Sequence, residues 1–154
     1  MASVLPVVLF VHVLLTVVAV GFNLSYNLWI ARAERDPAQL DFVLRGVKFL
    51  DDRFANPAYV LLLLTGVALV PLSDRAGFGD FWVWSSTVLL VAALAGAYLV
   101  YTPRLRDQIA VLAASGPDTP EYDRAKRRTD RIGQLLGLLV VAIVALMVIK
   151  PTWG

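Results

Sequence analysis

Polar and apolar positions along this chain separate into long blocks. Residues 7–30, 54–73, 81–103 and 132–149 contain no Asp, Glu, Lys or Arg. Each block is near the ~20 residues that carry a helix across ~30 Å of hydrocarbon. The stretches between them hold almost all the charge. This alternation predicts an all-α protein, a four-transmembrane-helix bundle forming a single membrane domain over residues 1–154. No apolar block follows a basic start and precedes a small-residue cleavage site, so the first is expected to remain as a span.

The polar stretches have helical character of their own. Between residues 31 and 55, Leu40, Val43, Val47, Leu50 and Phe54 recur at spacings of three and four. That period makes an amphipathic helix, with Asp41, Arg45, Lys48 and Asp52 toward water. Asp36-Pro37 supplies a start signal. The stripe runs on into the next apolar block, so this helix is expected to extend the second span rather than lie on the membrane surface. Asn56-Pro57 opens or kinks that span, Thr65-Gly66 lies inside it and Pro71 closes it. Ser115-Gly116-Pro117 breaks the third connection. Thr119-Pro120-Glu121 then starts a helix that can run to Ile149.

Composition agrees with the pattern. The chain has 154 residues, of which 58% are hydrophobic, and a mean hydropathy of +0.70. A soluble domain is usually ~45–50% apolar. Cysteine is absent, which removes disulfides, thiolate chemistry and iron–sulfur clusters. The basic residues are unevenly placed: five in residues 31–55, seven in residues 104–131, Arg75 in the short second connection and Lys150 near the end, so twelve of fourteen fall in two connections. The positive-inside rule puts those two connections in the cytoplasm, with both termini outside and with cytoplasmic helical extensions. The expected location is a bacterial inner membrane, crossed several times. No basic stripe interleaves with aromatics, so a nucleic-acid partner is not expected. The basic patch from Arg124 to Arg131 fixes topology and is a candidate surface for anionic lipid headgroups.

Candidate chemistry centres on the first span, which holds the only histidine, His12. At ~100° per residue, Thr16, Asn23 and Asn27 fall within ~60° of His12, and Tyr26 lies just to the other side. Polar groups in hydrocarbon need partners, so this face is expected to point into the bundle. His12 has three readings. One is a helix–helix hydrogen bond, with Ser85, Ser86 or Thr87 of the third span as partner. Another is an axial ligand to haem iron. The third is a step in a proton relay. Gly66 and the small pair Ala92 and Gly96 mark expected close helix packing, the pair being a candidate face for self-association. No metal site of three or more N/S ligands can be assembled. No carboxylate lies in any span to complete a nucleophilic triad, and no phosphate loop is present.

Four landmarks coincide: one histidine in the first span, a Pro-containing start before Thr65-Gly66, an aromatic start to the third span at Phe81, Trp82 and Trp84, and the closing LMVIKP of residues 146–151. On these the chain resembles an uncharacterised bacterial family of four-helix integral membrane proteins, a domain of unknown function. It is more distantly similar to membrane protoporphyrinogen oxidase and to the copper-resistance membrane domain. The oxidase resemblance implies haem b held by His12. The chain has Ser85, Ser86 and Thr87 where that family has a lysine, and Arg131-Ile132-Gly133-Gln134 where it has an acidic Asn-Glu element. The expected function is therefore a membrane binding or structural component without a catalytic constellation, surrounded by lipid and part of a homo-oligomer or larger complex. The alternative is a haem b-binding redox protein with His12 as axial ligand.

Overall fold

A computed structural model describes residues 4–74 and 76–152. The basic residue expected in the second connection, Arg75, lies outside them. The described residues are helical with short links and contain no strand. Helix α1 spans Val4–Ala33. Helix α2 (Pro37–Leu50), a π turn (Asp51–Ala55) and α3 (Asn56–Leu72) follow as one continuous rod. Helix α4 (Phe81–Gly96), a second π turn (Ala97–Tyr101) and α5 (Thr102–Ser115) form the next rod. Helix α6 spans Pro120–Ile149. Four rods are thus long and apolar enough to cross a membrane, and α2 does extend the second one.

Both π turns have the same local cause. Each is followed by a polar residue and then a proline, Asn56-Pro57 and Thr102-Pro103. A proline ring clashes with the carbonyl four residues earlier and offers no N–H. The helix absorbs this by widening by one residue. The amides of Asn56 and Thr102 accordingly reach back five residues, to the carbonyls of Asp51 and Ala97.

The termini of the other helices follow ordinary capping chemistry. Gly116 ends α5 with φ at 81°, a left-handed conformation that suits glycine. The Thr119 hydroxyl accepts from the Tyr122 amide to start α6. Asp36 caps α2 differently from expectation. Its carboxylate takes the Gln39 side chain at 2.7 Å and no backbone amide. At the far end of α6, the Lys150 ammonium sits 5.1 Å from the centre of the Trp82 ring, which ties α6 to the start of α4.

Two cores result. One lies at the charged end, where α2, α5 and the first turns of α6 gather Leu40, Leu44, Leu105, Leu112 and Tyr122. The other lies among the apolar spans and joins Ala19, Ala58, Leu62, Leu90 and Val140. Of the expected α2 stripe, Leu40 and Val47 are buried together with Leu44, whereas Phe54 is half exposed. The added turn at Asp51–Ala55 rotates Phe54 off the stripe.

Candidate functional site

The two π turns meet between the cores, at the charged end of the apolar spans. Asp51, three residues before the apolar run of residues 54–73, is 4% exposed. Its carboxylate accepts from the Asn56 amide at 3.1 Å and from the Thr102 hydroxyl at 3.3 Å. Asn56 closes the first π turn and Thr102 closes the second, so one buried carboxylate bridges both irregular turns. Burial pushes the Asp51 carboxyl up to about 6. The neighbouring Asp52 acts in the same direction, and the Thr102 and Asn56 hydrogen bonds and Lys48 oppose it. Lys48 is itself paired with Asp52.

Beside Asp51 is a cavity of about 40 Å³. A water needs roughly 10–15 Å³ of such space, so the cavity has room for a few waters or one small guest. Its polar wall comes from α1 (Asn23, Tyr26, Asn27), from Asn56 and Tyr59 of α3, and from Tyr101. Its apolar wall includes Ala97, Leu136 and Val140. Tyr101 can lie flat here because residue 133 is glycine; a Cβ there would stand 3.3 Å from its ring. The Asn23 amide donates to the Tyr59 hydroxyl at 2.8 Å and to the Ala19 carbonyl at 3.0 Å. The Tyr26 hydroxyl is fully buried and has no hydrogen-bond partner among the described residues. A buried hydroxyl in that state costs free energy, and the cavity is where a partner would sit.

The polar face of the first span therefore divides. Asn23, Tyr26 and Asn27 line this chamber. Thr16 turns back to the His12 carbonyl of its own helix at 2.9 Å. His12 belongs to a second, separate contact. Its Nδ1 lies 2.8 Å from the Thr65 hydroxyl, on α3. The Thr65 hydroxyl donates to the Leu61 carbonyl at 2.8 Å, so its oxygen is left to accept the Nδ1–H. Ser85, Ser86 and Thr87 instead bond the carbonyls of Phe81, Trp82 and Val83 in their own helix. Helix α1 packs chiefly against α3 rather than α4, which is why Thr65 and not the third span meets His12.

The expected packing residues also separate. A Cβ at Gly66 would stand 3.3 Å from the His12 ring, so this glycine lets α1 and α3 close around the imidazole. A Cβ at Gly96 would stand 3.0 Å from Leu136, so Gly96 packs α4 against α6 of the same chain. Ala92 is exposed.

Sequence reading missed Asp51, Asn56, Tyr59, Tyr101 and Thr102 as members of a site. The signal was the repeated polar-Pro pair, Asn56-Pro57 and Thr102-Pro103, each placed where an apolar run meets charge. No group of three His, Cys, Asp or Glu able to hold a metal ion is present among the described residues.

A family model described as "Predicted integral membrane protein (DUF2269)" matches residues 6–151, so the chain belongs to that family. No curated protein and no solved structure matches the chain.

Proposed function

We propose that this DUF2269 integral membrane protein is a non-enzymatic binding component whose chamber holds one small monovalent cation in exchange with the proton of Asp51. The observation that carries the reading is the cavity itself. It sets one buried carboxylate beside an unpartnered Tyr26 hydroxyl and neutral oxygens of Asn and Tyr side chains. Hard cations take oxygen ligands, and one carboxylate balances one charge. Irregular helix turns lining a cavity are a recurrent place for ions in membrane proteins. Twelve of fourteen basic residues at the same end support placing that end in the cytoplasm of a bacterial inner membrane, with both termini outside. Self-association or membership of a larger complex is part of the same proposal. With Gly96 engaged inside the chain, it would use the lipid-facing surfaces of the rods.

The test is thermal unfolding of the detergent-solubilised full chain at pH 7.5. Sodium, potassium or ammonium chloride is compared with choline chloride at equal ionic strength. At least one small cation should protect the wild type and leave Asp51→Asn unprotected. Equal melting in all four salts would sink the reading.

A second reading keeps haem b, and one observation favours it. Thr65 takes the Nδ1–H of His12, which leaves Nε2 as the basic nitrogen and fixes the ring. Ligating imidazoles are commonly oriented in that way. His12 would supply one axial nitrogen. No second imidazole exists in the sequence.

A further inference from the structure

We propose that the groove between α5 and the first turns of α6 is a binding site for the headgroup phosphate of an anionic phospholipid, held by Arg104 and Arg128. This site is independent of the Asp51 chamber.

The groove encloses about 250 Å³, and three arginines line it: Arg104 from α5, Arg124 and Arg128 from α6. Their states differ. Arg124 is spent locally, with its guanidinium 2.7 Å from the Glu121 carboxylate and also bonded to the Pro120 carbonyl at 3.0 Å. Arg104 and Arg128 have no side-chain hydrogen bond or ion pair to any described residue. Glu121 being taken by Arg124, the remaining acid on the groove is Asp107. Two guanidiniums against one carboxylate leave the groove one positive charge in excess. Helix packing keeps them there: the Thr129 hydroxyl reaches the Arg104 carbonyl at 3.4 Å and joins the start of α5 to α6.

Depth selects the ligand. Arg104 directly follows the apolar run of residues 81–103, and Arg128 stands four residues before the run of residues 132–149. At ~1.5 Å per residue, Arg128 is ~6 Å beyond the hydrocarbon. The headgroup layer on each side of a bilayer is ~5–7 Å thick. Both free arginines therefore lie in the layer where lipid phosphates sit. The groove also offers Val111 and Ala125 as apolar lining. Guanidinium is suited to phosphate oxygens through paired N–H donors. A basic pocket between spans at this depth is a known way for membrane proteins to hold anionic lipid.

The experiment uses the detergent-solubilised full chain. It is supplied with equal amounts of phosphatidylglycerol and phosphatidylcholine, and native mass spectrometry counts the lipids retained. The wild type should retain phosphatidylglycerol about tenfold over phosphatidylcholine. The double variant Arg104→Gln, Arg128→Gln should lose that preference. A control with the same charge change, Arg106→Gln with Arg131→Gln, should keep it, because those side chains are exposed and do not line the groove. Melting curves check that both variants fold. Absence of any preference in the wild type overturns the proposal, as does equal loss in the control, which would mean attraction by net charge alone. Addition of millimolar inorganic phosphate forms the remaining arm. Retained phosphatidylglycerol supports a lipid site; complete displacement overturns it in favour of a soluble anion.

Discussion

The core at the charged end and the core among the spans are built from the same apolar side chains and are held differently. At the charged end Leu44 and Leu105 are 0% exposed. Among the spans Leu138 is 68% exposed and Leu99 is 76% exposed. The first region must hide leucine from water, so burial drives it. The second has lipid for a solvent, and an outward leucine loses nothing there. What the spans must hide is polarity, which is why their contacts are named by Asn23, Tyr59, His12 and Thr65. One chain thus obeys opposite rules at its two ends. The buried Asp51 sits where the rules change over.

The largest effect should come from equal truncations in the two regions. Leu44→Ala removes a fully buried side chain from the core it shares with Leu105 and Leu40. A loss of about 2–5 kcal/mol is expected. Leu138→Ala, on the lipid face, should stay within about 0.5 kcal/mol of the wild type. Chemical unfolding of both variants in the same detergent measures the contrast. Equal losses would mean that the spans bury Leu138 against a partner, and the comparison would fail.

The same contrast explains what could be read from sequence. The four rods were legible because charge-free runs of this length have few other uses in a folded protein. The α2 stripe was legible because polar and apolar positions there alternate at the helical period, with Leu40, Leu44 and Val47 buried and Arg45 exposed. Inside the spans that signal fades: lipid-facing and bundle-facing positions are both apolar, so Gly96 and Ala92 looked alike and proved different. The polar face of α1 was readable in kind and unreadable in partner. Asn23 found Tyr59, and His12 found Thr65, contacts set by how α1 and α3 pair. The chamber was hidden for another reason. Asp51 stands beside Asp52 in a charged stretch; its spacing after Leu44 and Val47 puts it on the buried face of α2, but its partner Thr102 lies on another rod and had no signal in the pattern. Asp51 is buried and Asp52 is exposed.

Asp51→Asn sharpens the boundary between the regions. Burial raises the folded carboxyl from its ordinary range to about 6. The folded chain therefore keeps its proton where the unfolded chain has lost it. That stabilisation is complete below about pH 4 and is lost as pH rises through about 6. The carboxamide of the variant has no proton to lose and retains an oxygen for Thr102 and Asn56. In choline buffer the variant should match the wild type near pH 4. At pH 8 it should be more stable by about 1–3 kcal/mol, the span set by ~1.4 kcal/mol per pKa unit. Adding a small cation at pH 8 should narrow that gap by restoring the wild type. A variant less stable than the wild type at pH 8 would show that the ionised carboxylate is already satisfied by the protein alone.

The smallest effect belongs to the polar contact deepest in the apolar region. His12 and Thr65 form one interhelical hydrogen bond, with Gly66 closing the gap beside it. Such bonds in membrane proteins average about 0.6 kcal/mol and reach about 1.7. Thr65→Val should cost that amount, and His12→Ala somewhat more because the ring space against Gly66 empties. Combined in one chain, the two changes should cost less than their sum, since they remove the same bond. An absorption spectrum of protein expressed with ample haem settles what the bond is for. A colourless, folded wild type with this coupling makes His12 a helix fastener. A Soret band lost in His12→Ala, retained but shifted in Thr65→Val, makes the same hydrogen bond the support of an iron ligand. The mutant energies alone would look alike in both cases. The spectrum separates them because only a ligand role gives Thr65→Val an optical signature.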